Sequence, residues 1–275
     1  MSARPGTGAG SWSRIRPAAR AFALRDLRVG LSYKLPFLLQ AVAALFGLLT
    51  TWFVAKIVNP GEVPGGYFTF VVLGLLVAVF VSAGITMIGG SLREEQLLGT
   101  LEATLSSGVP TGALAIGMLA YPMVSATFEA LIYALLAFAL GARAPDANWS
   151  LALGALILGV LTFTGLGLVG AALVLVLQRA SGAVAWMVAV LSLAAGEFFP
   201  PRLMPGWLQG LALLSPFTWC LRLIRAAVLE DGSWSGNWRG TLVLAAMSVV
   251  WVFLGGAALA AGLRAARRRG TLGGY

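Results

Sequence analysis

Six apolar runs separated by short polar segments organise this chain. A helix needs about 20 apolar residues to cross a bilayer. Runs 35–55, 67–91, 112–140, 149–177 and 240–263 reach that length, while 182–199 is shorter and closes in "GEFFPP". The pattern predicts an all-α membrane protein with six transmembrane helices in a single domain, 1–275, and both termini on one side. Residues 1–34 form a leader before the first run. Within it Leu24, Leu27 and Leu31 share one helical stripe flanked by Arg25 and Arg28, and Pro17 suits a helix start. That combination predicts an amphipathic helix lying on the membrane face.

The segment 200–239 breaks the plan. It contains "LALLSPFTWCLRLIRAAVL", apolar but interrupted by Ser215, Pro216, Arg222 and Arg225. Two arginines near the middle of a full span each cost about 2.5–3.5 kcal/mol on insertion scales. A re-entrant or interfacial helical hairpin avoids that cost, provided its backbone breaks are packed in protein or line a cavity. A seventh span, which would move the tail to the opposite side, is the alternative.

Composition agrees with the run lengths. The chain is 59% hydrophobic and 11% charged, against about 25% charged for soluble domains. Net charge is +9, but the basic residues sit at segment ends and in the tail 264–275. That placement suits anionic lipid headgroups and not nucleic acid. With the N-terminus inside, thirteen of the 19 Lys and Arg residues fall on inner segments. The six outer ones are Lys56, Arg143, Arg202, Arg222, Arg225 and Arg239. The asymmetry predicts cytoplasmic termini in the cell membrane. Trp52, Trp149, Trp207, Trp234 and Trp238 then fall near outer ends, as an aromatic belt would.

Candidate chemistry is sparse. Cys220 is the one cysteine and there is no histidine. Neither an intrachain disulfide nor a Cys or His metal cluster can form, and the usual general base is missing. Lys34 and Lys56 are the only lysines, followed by Leu35 and Ile57, so no phosphate-cradling Gly-x-x-x-x-Gly-Lys-Ser/Thr loop exists. An enzymatic role for the chain itself is not expected, and no cofactor is expected in it. Glu129 lies inside the third run, where a carboxylate must be paired, protonated or in a wet cavity. It is either an element of a translocation path or a structural hydrogen-bond partner, and Pro122 before it predicts a kink. Arg222 and Arg225 share a helical face and suit snorkelling anchors or contacts to Glu197 or Glu230. Glycines in "GLGLVG" (165–170) allow close helix approach, within the chain or across a dimer. Ser82, Thr86, Thr162 and Thr164 suit bonds to backbone carbonyls.

The inner segment 92–111 carries Glu94, Glu95 and Glu102, three of ten acidic residues. On a wheel through 93–105, Leu97, Leu98, Leu101 and Leu105 fall within about 100° of arc. Glu95 and Glu102 flank one side, Thr100 and Thr104 the other. Ser106, Ser107, Gly108 and Pro110 supply a stop. An apolar stripe with acidic flanks suits a protein groove better than anionic lipid.

These residues carry a resemblance. "REEQLLGTLEATLSSGVP" resembles the cytoplasmic motif of ABC-2 transporter permeases, with Gly99, Thr100, Leu101 and Glu102 matching its Gly-Thr-Leu-Glu and Pro110 its closing proline. Either Glu94 or Glu95 matches the glutamate of the approach. Later, Pro200, Pro205, Trp207, Pro216 and Arg225 resemble the family's Pro-rich outer turn, its Pro-x-Trp entry, its mid-segment proline and its closing arginine. The resemblance implies a permease subunit that exports a lipophilic or lipid-linked compound. It implies a second permease subunit and a separate ATPase subunit, which would hold ATP and Mg. It makes Glu94, Glu95, Leu97, Leu98, Gly99, Thr100, Leu101 and Glu102 a coupling helix seated in the ATPase. The alternative is an ion-coupled secondary transporter using Glu129, although such proteins usually have more spans and visible half-repeats.

Overall fold

The computed structural model describes residues 17, 20, 21, 23–25, 28, 34–57, 65–100, 111–177 and 181–269. Those residues form helices α1 (Lys34–Ile57), α2 (Tyr67–Ser82), α3 (Ile88–Leu97), α4 (Thr111–Ala139), α5 (Trp149–Leu177), α6 (Ser181–Ala195), α7 (Gly206–Ala212), α8 (Pro216–Leu229) and α9 (Trp238–Arg269), with no strand among them. A π-helical turn, Ala83–Met87, joins α2 to α3, so Tyr67–Leu97 forms one 31-residue helical run. The described part of the leader (Pro17, Arg20, Ala21, Ala23, Leu24, Arg25, Arg28) is helical. Leu27 and Leu31 lie outside the described residues.

Five helical runs are long and apolar enough to cross a membrane: Leu38–Ile57, Tyr67–Leu97, Ala115–Ala139, Trp149–Val176 and Trp238–Ala266. They correspond to the expected spans one to four and six. The remaining run, 182–199, is helical only over the 15 residues of α6, about 22 Å at 1.5 Å per residue. Gly196, at φ +72°, stops it. The Gly196 amide donates to Leu193 O at 3.1 Å and the Glu197 amide to Ser192 O at 3.4 Å. This is a Schellman closure, which needs a left-handed residue. Pro122 does not interrupt α4.

The segment after α6 is a bent pair. Pro205 precedes α7, Pro216 opens α8, and the two axes meet at 89°. Proline at a helix start wastes no donor and breaks the chain before it. α8 does not lie at the surface. It packs on α5, α2, α9 and α6, and Phe217, Cys220, Leu221 and Leu223 belong to the main core.

That core forms around α5. α9 lies along α5 in the most extensive helix contact of the bundle. Glycine makes the approach: a Cβ on Gly165 would sit 2.4 Å from the Trp251 backbone, and one on Gly255 2.3 Å from the Gly165 carbonyl oxygen. Opposite, a Cβ on Gly167 would sit 1.6 Å from the carbonyl oxygen of Gly84 in the π turn. Thus the small-residue stretch 165–170 serves packing within the chain, as far as the described contacts go. The seam also holds a polar pair: Thr162 and Ser248 hydroxyls meet at 2.9 Å, and both bond to Leu158 O. Thr86 and Ser91 bond back one turn to Ser82 O and Met87 O, as expected for hydroxyls in apolar helices. α1 packs only lightly, on α4 and α2. It leaves Leu35, Leu38, Leu39, Phe46 and Phe53 exposed, which suits a helix facing lipid.

Gly167→Ala should therefore destabilise the protein by about 1–3 kcal/mol, the usual cost of overpacking. Gly90→Ala, where a Cβ meets nothing within 4 Å, should be neutral or slightly stabilising, because alanine favours helix. Thermal unfolding of the two variants in one detergent checks this, and equal melting temperatures would contradict the close-approach account.

Candidate functional site

Three polar arrangements stand out in an otherwise apolar bundle. The first is the end of the second helical run. α3 stops at Leu97, and Gly99 takes a left-handed backbone at φ +69°. The Gly99 amide donates to Gln96 O at 3.2 Å. The Thr100 hydroxyl reaches back to Glu95 O at 3.3 Å, satisfying a carbonyl that the helix has left over. Thr100 is again helical. So Gly99 and Thr100 together form a helix stop, and the continuous wheel expected over 93–105 is broken at 98–99. The physical reason is that Gly99 adopts a conformation costly for other residues. Leu101, Glu102 and Leu105 lie outside the described residues.

The break separates the candidate contacts. Glu94, Leu97, Leu98, Gly99 and Thr100 are exposed, with Leu97 at 62% and Leu98 at 69%. Glu95 is buried and accepts a charge-assisted hydrogen bond from Arg25 of the leader helix. It does not stand on an exposed flank as the wheel placed it. Beside this end, a groove of about 340 Å³ runs between α3, α5 and α6, with Glu94 and Leu97 on one lip and Val174 and Val184 on the other.

The second arrangement is Arg225 in α8. The expectation of a snorkelling anchor is overturned: Arg225 is 7% exposed. Its guanidinium donates to Gly196 O at 2.8 Å, Glu197 O at 2.9 Å and Phe70 O at 3.1 Å. It also lies 3.3 Å from the centre of the Phe70 ring. The expected meeting with Glu197 occurs at its backbone oxygen. These acceptors are the loose end of α6 and a carbonyl of α2, so one cation ties α8 to two other helices. The helical stripe alone gave no sign of this, because Arg222, one turn earlier, is exposed and rests near Trp219. Pro205 and Pro216 sit at the two helix starts of the bent pair, and Trp207 is exposed.

The third is Glu129. It sits past the middle of α4 and accepts a hydrogen bond from Gln40 of α1. It faces a cavity of about 200 Å³ lined by Leu75, Ala78, Val79, Ser82, Ala83, Met87, Ala126 and Tyr133. Ser82, Ala83 and Met87 bring the π turn to this wall. π turns interrupt helices and often mark functional positions. Gln40 and the π turn were not singled out from sequence. A polar side chain in an apolar run is a signal that could have found Gln40, but nothing in periodicity distinguishes a π turn from an α turn. Among the described residues, no group of three or more His, Cys, Asp or Glu side chains is placed to hold a metal ion.

Compared with protein families, the chain matches the ABC-2 type transporter model over residues 25–229. That match spans most of the 275 residues, and the chain belongs to the ABC-2 type transporter family. No curated protein matches it.

The Arg225 arrangement has a measurable consequence. Cys220 is fully buried about one and a half turns from Arg225, in the same helix. Arg225→Gln strips donors from buried carbonyls, each loss costing about 1–3 kcal/mol. Labelling of Cys220 by a small maleimide should then speed up by about tenfold or more through local opening. Arg225→Lys should give an intermediate rate, and Arg222→Gln should leave it unchanged. Equal rates for Arg222→Gln and Arg225→Gln would count against the tie.

Proposed function

We propose that this ABC-2 family membrane component is the permease subunit of an ATP-driven exporter, powered by a separate ATPase chain that carries ATP and Mg. The observation that carries the proposal is the family match over 25–229 together with the exposed Leu97–Thr100 helix stop. A bare pair of leucines at a polar helix end needs cover. Helix-in-groove docking provides it through apolar anchors, with charges fixing orientation. In this reading Glu94, Leu97, Leu98, Gly99, Thr100, Leu101 and Glu102 face the ATPase. Glu95 acts one step back, fixing the segment through Arg25.

Orientation follows the charge asymmetry. The helix stop, both termini and the basic end of α9 face the cytoplasm, and the α7–α8 bend lies toward the outer face of the cell membrane. The leader helix then rests at the inner interface among anionic lipids. A second permease subunit completes the path, and the cargo is a lipophilic or lipid-linked compound. Glu129 and its cavity lie along that path. Leu97 and the cavity wall belong to one helical run, Tyr67–Leu97, so movement imposed by an ATPase reaches the cavity without crossing a loop.

Leu98→Asp and Leu101→Asp should each weaken co-purification of the permease with its ATPase by about tenfold, while membrane insertion is retained. One desolvated charge in an apolar contact is enough for that. Affinity capture of one subunit, followed by quantification of the other, checks it. Unchanged stoichiometry in both variants would count against docking at this segment.

A further inference from the structure

From the cavity between α2, its π turn and α4, we infer a binding site for a small organic cation, such as a quaternary or protonated amine on an apolar body. The inference starts from an imbalance of charge. Glu129 is half-buried beside the cavity, and Gln40 supplies its one hydrogen bond from a described residue. That donor is neutral. No described Lys or Arg forms an ion pair with Glu129. A carboxylate at membrane depth is costly unless it is paired, protonated or wet, and a bound organic cation would supply the pairing. Both the carboxylate and Tyr133 line the cavity.

The rest of the lining decides which cation fits. Val79, Ala83, Met87 and Ala126 present apolar surface. Hard metal cations demand six or more oxygen ligands, and this wall offers far fewer. An alkylammonium needs one anion, apolar surroundings and, favourably, an aromatic ring, and Tyr133 contributes a ring to the lining. The Gln40 bond holds the carboxylate in place without neutralising it. Read as cargo recognition, the site rests on the export reading above. As a binding site in the isolated chain it stands or falls alone.

The test uses the purified full chain in lipid nanodiscs without an ATPase. Benzyltrimethylammonium is compared with neopentylbenzene, its neutral isostere, by equilibrium dialysis against empty nanodiscs. The expected result is saturable binding of the ammonium, weakened at least tenfold by Glu129→Gln. The neutral isostere should show no dependence on Glu129. Val79→Trp, on a half-exposed wall, should abolish ammonium binding by filling the cavity. Cys220 protection from maleimide confirms that each variant is folded. If Glu129→Gln does not fold, Val79→Trp decides, and unchanged binding there overturns the site. Equal binding by the wild type and Glu129→Gln, or no saturable binding by the wild type, also overturns it. A chain that fails this test but still co-purifies with its ATPase leaves the export reading standing. A chain that binds the ammonium but captures no ATPase does the reverse.

Discussion

A helix that stops inside an apolar bundle leaves backbone carbonyls without donors, and in a membrane no water replaces them. Arg225 resolves this by donating to the end of α6 and to α2 at once. It joins α8, α6 and α2 at one point. α6 can be short because its loose carbonyls have a partner. α8 can enter the core at a right angle to α7 because both terminal nitrogens of its buried cation donate to carbonyl oxygens and the guanidinium lies over the Phe70 ring. An arginine suits the place better than a lysine, since its planar fork reaches several acceptors in fixed directions.

The opposite side is held by contact between backbones. Gly165, Gly167, Gly84 and Gly255 bring two helical segments, α9 and the π turn, to α5 at distances that exclude any side chain. Helices in lipid gain little from apolar burial against each other, so close van der Waals approach and shared hydrogen bonds supply the association. The Thr162–Ser248 pair on Leu158 O adds such a bond at the same seam. α5 is thereby the rigid centre, with α9 on one flank and the π turn on the other. α1 and most of α4 stay peripheral and expose their apolar faces.

Much of this was legible from run lengths and punctuation. Long apolar runs pointed to five of the helices, although the second continues past the expected 91 to Leu97, and prolines marked both starts in the bent pair. What periodicity could not show were tertiary choices. A wheel treats every residue as helical, so it could not see that Gly99 would turn left-handed and split Leu97 and Leu98 from Leu101. It also grouped Arg222 with Arg225, although one is exposed and the other is buried among carbonyls. Glu95 looked like a flank residue until Arg25, seventy positions away, took one of its oxygens. The Gly99 miss is a local backbone choice, while the Arg225 and Glu95 misses concern partners distant in sequence, which spacing cannot encode.

The remaining step concerns how the polar arrangements are connected. Met87 borders the Glu129 cavity and Leu97 ends the same helical run ten residues later, about 15 Å along the axis. Between them there is no loop. Helices transmit displacement as rods, but a π turn is a local irregularity at which a rod can change register. The Ala83–Met87 turn sits where Gly84 touches Gly167, so its inner side is fixed against α5. Its other side borders the cavity. A push at Leu97 would therefore be resisted by α5 and taken up on the cavity side, where open volume leaves room for a side chain to move. The helix stop and the π turn thus lie in series along a single helical run, and the π turn shares the cavity with the Glu129 carboxylate of α4.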